Sequence, residues 1–203
     1  MNKSIIEFYV MANNLKNVVR KGWMEVGIPK EKIESVADHI YGTMVLSLGI
    51  IEEKKLDLDV AKLFKMIILK ELSKAISLDE TSVLEPNSME ATYEKTYKII
   101  ESLDNSSNLK ELYEEYENKS CEEARFAYKV SKLESDLQAK LYEKSGDFKI
   151  ENAKRDIEHY PEEVKSQITE IKHASDGWLI FDRGYYEGDE YFMNFSKEIE
   201  EME

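Results

Sequence analysis

Three prolines and eight glycines are spread over 203 residues, so most of this chain contains nothing that would stop a helix. The apolar residues recur every three or four positions, the spacing that places them on one helical face. From Ile5 to Lys21 they are Ile6, Tyr9, Val10, Leu15, Val18 and Val19, and Gly22 suits the stop. After Pro29, a second segment from about Lys32 to Glu53 carries Ile33, Val36, Ala37, Ile40, Met44, Leu48 and Ile51, expected as one buried stripe. Asp59 precedes a strongly apolar stretch from Val60 to Leu69, which reads as a helix crossing the core. Ser77 to Ser88, with Pro86, reads as a loop. Further helices are expected at about Glu90–Leu103, Leu109–Asn118, Cys121–Glu143 and Pro161–Phe181. A loop from Asp182 to Asp189 then leads into a short final helix. No segment alternates apolar and polar residues with period two, so the expected fold class is all-α.

Charge narrows the function. The formal net charge is −14, and duplex or phosphate-backbone binding needs clustered Lys and Arg; nucleic acid is therefore not an expected partner. A small anionic ligand in one local basic pocket remains compatible with that charge. Cys121 is the single cysteine, so no intrachain disulfide can form, which favours a reducing compartment. No run approaches about 20 apolar residues, so no membrane span is expected. Met1-Asn2-Lys3-Ser4 lacks the apolar core of a signal peptide, and the expected location is cytoplasmic. There is no glycine-rich phosphate loop, and His159 and His173 have no HxxxH or His-Asp neighbours.

An ordered set of motifs runs through the chain. Arg20-Lys21-Gly22-Trp23 precedes Glu34-Ser35-Val36-Ala37-Asp38-His39. Lys70-Glu71-Leu72-Ser73-Lys74 follows, then Leu78-Asp79, then Leu112-Tyr113-Glu114-Glu115-Tyr116-Glu117. Last comes Ala127-Tyr128-Lys129-Val130-Ser131-Lys132-Leu133-Glu134. This order resembles the 5'-deoxynucleotidase-like branch of the HD-domain superfamily. The resemblance implies an HD-domain helical bundle formed as one domain over residues 1–203. Its motif-bearing part would be about 10–145, with C-terminal helices from 161 to 203 packed onto it. It also implies self-association as a homodimer. In such proteins one divalent metal (Mn, Co, Fe or Zn) is held by a His, a His-Asp pair and a distant Asp. The metal polarises the phosphate of a deoxynucleoside monophosphate and activates a water.

Carried over residue by residue, that pattern is altered here. His39 stands at the first ligand position, although a lone mid-helix histidine is more often an ordinary, partly buried residue. Lys70-Glu71 replaces the His-Asp pair. An ammonium has three donors and no acceptor, whereas Glu71 could still ligate with its carboxylate displaced by a methylene. Ser131 replaces the distant Asp, and a neutral hydroxyl is a poor substitute on a hard cation. Lys74 occupies the position of an acid/base Glu, and Asp79 retains a downstream acid. Arg20 and Trp23 are retained where such proteins contact substrate, Arg for its planar fork; equally, Arg20 could cap a helix and Trp23 anchor the core. Tyr113, Tyr116, Tyr128 and Tyr142 read as packing, and the acidic run Glu111 to Glu117 as a solvated face.

Like unit charges about 4 Å apart repel by roughly 4 kcal/mol at an effective dielectric near 20, and a dication doubles that. Lys70 and Lys74 therefore work against a metal. The charges suggest a replacement: Lys70 fills the metal's place and pairs with Glu71 or Asp38. The first expectation is an HD protein without metal-dependent hydrolysis, which binds a nucleotide or other small phosphate ligand, or a protein, and needs no cofactor. The alternative is a working phosphohydrolase with a rearranged metal site built on His39, Glu71 and Asp79. A purely structural, dimer-forming protein is the third.

Overall fold

The computed structural model describes residues 2–77, 89–153 and 162–202; the expected loop around Pro86, Asp79 and His159 lie outside these. Among the described residues the secondary structure is helical, apart from one isolated antiparallel bridge between Val19 and Ser35. The fold is all-α, as the periodicity requires. The chain divides into two compact units, Met1–Lys21 with Glu34–Tyr128, and Gly22–Ile33 with Lys129–Glu203.

In the first unit, α1 spans Lys3–Asn13 and passes into a 3-10 turn, Asn14–Lys16. The expected continuation to Lys21 does not form. Instead the backbone extends, with Val36 N–H donating to Val18 C=O at 2.8 Å and Arg20 N–H to Glu34 C=O at 3.1 Å. Val18 and Val19 look helical by spacing, but β-branched residues suit the extended bridge equally well. α2 (Lys21–Glu25) straddles the boundary between the units.

α3 (Val36–Lys54) begins at a capping box. Ser35 Oγ accepts from Asp38 N–H at 3.1 Å, and Asp38 Oδ2 accepts from Ser35 N–H at 2.8 Å. Its buried face is Val36, His39, Thr43, Ser47, Ile50 and Ile51. The expected apolar stripe is thus rotated. Ile40 and Met44 are half-buried, and Leu48 is exposed together with Tyr41 and Val45. Polar residues replace them inside, and Ser47 returns its hydroxyl to Thr43 C=O at 2.7 Å. α4 (Val60–Leu69) starts with Asp59 accepting from Lys62 N–H and buries Leu63, Met66, Ile67 and Leu69 against α3 and α7 (Ser107–Glu117). A tight turn through Lys70–Ser73 joins α4 to the short α5 (Lys74–Ser77). α6 (Met89–Ile100) packs on α1 and α7.

α8 (Glu122–Lys144) begins in the first unit and continues into the second. In the second unit, Gly27 provides the stop assigned above to Gly22, which lies inside α2. With φ at 80°, Gly27 lets Ile28 N–H reach Trp23 C=O at 3.0 Å. A Cβ there would lie 2.5 Å from the Asn152 amide, on α9 (Ile150–Ala153). The helix expected from Pro161 to Phe181 is two helices, α10 (Glu162–Thr169) and α11 (Asp176–Asp182). Glu143 explains the break, since its carboxylate faces His173 Nδ1 (3.1 Å), Ala174 N–H (3.1 Å) and the Ser175 hydroxyl. Asp176 accepts from His173 N–H at 2.9 Å. These bonds hold the intervening turn, and His173 has a structural role that the sequence did not suggest. A 3-10 turn (Arg183–Tyr186) and α12 (Glu190–Glu200) complete the unit.

Candidate functional site

The first unit collects a cluster of charged groups at the end of α4. Glu71 follows the helix's last residues, and its side chain turns inward with 5% exposure. Lys70 Nζ donates to Glu71 Oε1. Lys74 Nζ lies 3.0 Å from Glu71 Oε2, close enough for an ion pair but not aligned as a hydrogen bond. From α3, His39 Nε2 stands 3.6 Å from Glu71 Oε1. Lys70 is paired with Glu71 and not with Asp38, whose carboxylate is occupied in the capping box.

Burial and the charges of Arg20, Lys70 and Lys74 hold the His39 imidazole well below its ordinary pKa, against the opposing pull of Glu71. A neutral ring therefore sits in a region where three cations and one anion act on it. Burial pushes Glu71 up, but Lys70 and Lys74 outweigh it and hold the carboxyl well below the usual range. Burial draws the Lys70 ammonium down more strongly than Glu71 raises it. Arg20 is positioned by the Val19–Ser35 bridge and places Nη1 2.6 Å from Glu34 Oε1.

α7 contributes residues that sequence reasoning missed. Burial and then the Glu71 charge push the Tyr116 phenol well above its ordinary value. Glu117 is half-buried, and its carboxyl is raised by burial against the lowering effects of Tyr113, Lys119 and Lys70. The acidic run is thus not solvated throughout. Leu112, Tyr113, Tyr116 and Glu117 share the i, i+3, i+4 spacing that marks one inward face.

Trp23 belongs to the second unit, where it is 1% exposed. It is stacked on Trp178 at 4.2 Å and meets Tyr142 edge-on at 5.2 Å. Ser131 is a buried residue of α8 in the second unit and accepts from the Ser135 hydroxyl through its backbone carbonyl. Asp79 lies outside the described residues.

A divalent ion held by this cluster would draw on the Glu71 oxygens and the His39 ring. The neutral imidazole fits, but each Glu71 oxygen already faces an ammonium, and those ammonium groups would stand beside the ion. The set His39, Lys70, Glu71 and Lys74 does not fit a divalent cation. What it can do is donate hydrogen bonds to an anion, from two ammonium groups and one imidazole.

Comparison with known proteins gives a consistent result. The family model described as HD domain matches residues 12–172. The 5'-deoxynucleotidase HDDC2 of Xenopus laevis is 30% identical over 147 residues, covering 70% of this chain and 70% of that protein. The human 5'-deoxynucleotidase HDDC2 is 28% identical over 164 residues, covering 78% and 72%. Among solved structures, a conserved hypothetical protein from Pyrococcus furiosus superposes with a TM-score of 0.60 at 28% identity, covering 82% of this chain and 99% of that one. A protein from Pyrococcus horikoshii OT3 superposes with a TM-score of 0.61 at 26% identity, covering 89% and 97%.

Proposed function

Because this chain belongs to the HD domain family, we propose that it keeps the fold of its 5'-deoxynucleotidase relatives without their metal-dependent hydrolysis, and that it acts by binding a nucleotide-like ligand or a protein partner. The observation that carries this reading is the carboxylate of Glu71, held between Lys70 and Lys74 beside a neutral His39. A ligand carboxylate in that state has its charge already answered by protein cations. The names of the relatives supply the ligand class, a nucleoside monophosphate.

A second reading, a phosphohydrolase with a rearranged site, draws on the 30% identity to proteins named 5'-deoxynucleotidase and on the presence of His39 and Arg20. Metal analysis of purified protein, with phosphate release from 2'-deoxyadenosine 5'-monophosphate, separates the two. The expected result is neither stoichiometric Mn, Co, Fe or Zn nor released phosphate. Both together would replace the first reading with the second.

A cytoplasmic location and a homodimer belong to the same proposal. No helix among the described residues is long and apolar enough to cross a membrane. Two helical faces of the first unit are apolar and exposed, Ile5, Ile6, Tyr9 and Val10 on α1, and Tyr41, Val45 and Leu48 on α3. Such faces suit a second copy of the chain. Light scattering of the purified protein tests this, and a monomer at micromolar concentration would refute it.

A further inference from the structure

We propose that the Asp136 carboxyl, on α8 in the second unit, carries its proton at neutral pH and acts as a latch: the neutral acid holds the Arg183–Tyr186 turn against α8, and loss of the proton releases that turn. The latch lies within the second unit, whereas the Glu71 cluster belongs to the first.

Asp136 is fully buried. Among the described residues, the Tyr186 hydroxyl donates to its Oδ2 at 2.7 Å, and Oδ1 receives no donor. An ionised carboxylate offers about four acceptor sites, and when buried it pairs with a cation. Here one site is used, and the neighbouring cations are turned to other anions. Lys132 Nζ, from α8, lies 3.5 Å from Asp182 Oδ1 on α11. Arg183, in the turn itself, pairs with Glu200 on α12 and donates Nε–H to the Ser196 hydroxyl at 3.3 Å. Lys129 pairs with Asp189 at 2.7 Å, and Lys140 lies 3.5 Å from Glu143. A neutral acid suits this setting, because its carbonyl oxygen accepts the one bond on offer and no charge is left without a partner. Burial and the Asp182 charge act in the same direction, against Tyr186, Lys132 and Arg183.

Tyr186 connects that acid to the corner between α11 and α12. Its side chain is fully buried, with the ring stacked on Phe192 of α12 at 5.8 Å. Its carbonyl accepts from the N–H of Asp189, the residue that caps α12, at 2.8 Å. The Lys129–Asp189 pair holds the same corner from outside, but its side chains are 22% and 28% exposed and partly screened by water. Ionisation of Asp136 places a second buried negative charge near Asp182, whose own ion pair already engages Lys132. One phenol hydroxyl does not replace the water that a carboxylate loses on burial. Outward movement of the turn lets water reach Asp136 and relieves the repulsion.

Infrared spectroscopy and amide exchange of the full chain in D2O test this. At pH 7 the parent should show the carbonyl band of a protonated carboxylic acid. Asp136→Asn should remove that band, and Tyr186→Phe should shift it upward, because the carbonyl loses its hydrogen bond. Exchange at Asp189 N–H should quicken with pH beyond its intrinsic rise, by about tenfold per unit between the ordinary carboxylate range and the pH at which the band fades, and level off there. In Asp136→Asn the amide keeps the Tyr186 acceptor, and its protection should not vary with pH. An acid band that Asp136→Asn leaves intact, or protection at Asp189 that is independent of pH in the parent, overturns the latch. If Asp136→Asn does not fold, Tyr186→Phe decides: a shifted acid band supports the latch and an unshifted one overturns it.

Discussion

Replacing Glu71 with glutamine removes the one anion from among the groups acting on His39 and leaves the ammonium groups of Lys70 and Lys74 facing each other. The side chains of Glu71 and Lys70 are 5% and 10% exposed, so water can do little to screen them. At 3.0 Å and an effective dielectric near 20, the Lys74–Glu71 attraction alone is roughly 5 kcal/mol before desolvation is subtracted. Breaking a buried pair from one side costs about 3–5 kcal/mol in general. Glutamine keeps one acceptor oxygen, so about 3 kcal/mol is expected for Glu71→Gln. Lys70→Met is a different case. It removes a buried cation whose desolvation was itself costly, and Glu71 keeps Lys74. Its expected cost is about 1–2 kcal/mol, and the Lys70→Met/Glu71→Gln double variant should lie close to it, giving a coupling of about 3 kcal/mol. Urea unfolding at pH 7 measures all of these. The internal-cation account is refuted if Glu71→Gln stays within about 0.5 kcal/mol of the parent, or if Lys70→Met costs nothing.

The same cluster sets a pH dependence. Glu71 and His39 both have folded values below their unfolded ones. Their contribution is present above the unfolded values and lost as pH falls through the folded ones, so thermal stability should drop on acidification, and the drop should shrink in Glu71→Gln. The second unit holds a group of opposite sign. Asp136 is fully buried, accepts from the Tyr186 hydroxyl at 2.7 Å, and is raised well above the carboxylate range by burial and by Asp182, against Tyr186, Lys132 and Arg183. A raised folded value is favourable at low pH and lost as pH rises through it. Melting curves of Asp136→Asn between pH 5 and 9 should therefore lack a decline that the parent shows; parallel curves would contradict this. Trp178→Ala removes the ring stacked on Trp23 and should cost about 3–5 kcal/mol in urea unfolding. Glu143→Gln weakens the bonds that hold the turn before α11 and should cost about 1–3 kcal/mol, with faster amide exchange at Ala174.

The sequence could be read well where structure is local. The Asp59 cap and the apolar run after it mark the start of α4, and the helix occurs as expected from Val60 to Leu69. The reading failed where a distant or ambiguous partner intervened. Val18 and Val19 satisfy a helical period, yet Glu34 and Ser35 pair with that segment and keep it extended. The break before α11 depends on Glu143, a residue of another helix. The stripe of α3 is rotated because His39 faces Glu71, so Thr43 and Ser47 are buried with it and Leu48 is left outside.

By itself the sequence determined the helical class and the start of α4 after Asp59, because these depend on residue identity and on hydrogen bonds between near neighbours. Only the tertiary structure decided which partner Lys70 takes and that Trp23 stacks on Trp178. Those outcomes depend on side chains far apart in the chain being brought within a few ångströms. Each such contact is settled by competition among all the groups that packing places in reach, as when Asp38 is taken by its own helix cap and Glu71 is left for the lysines.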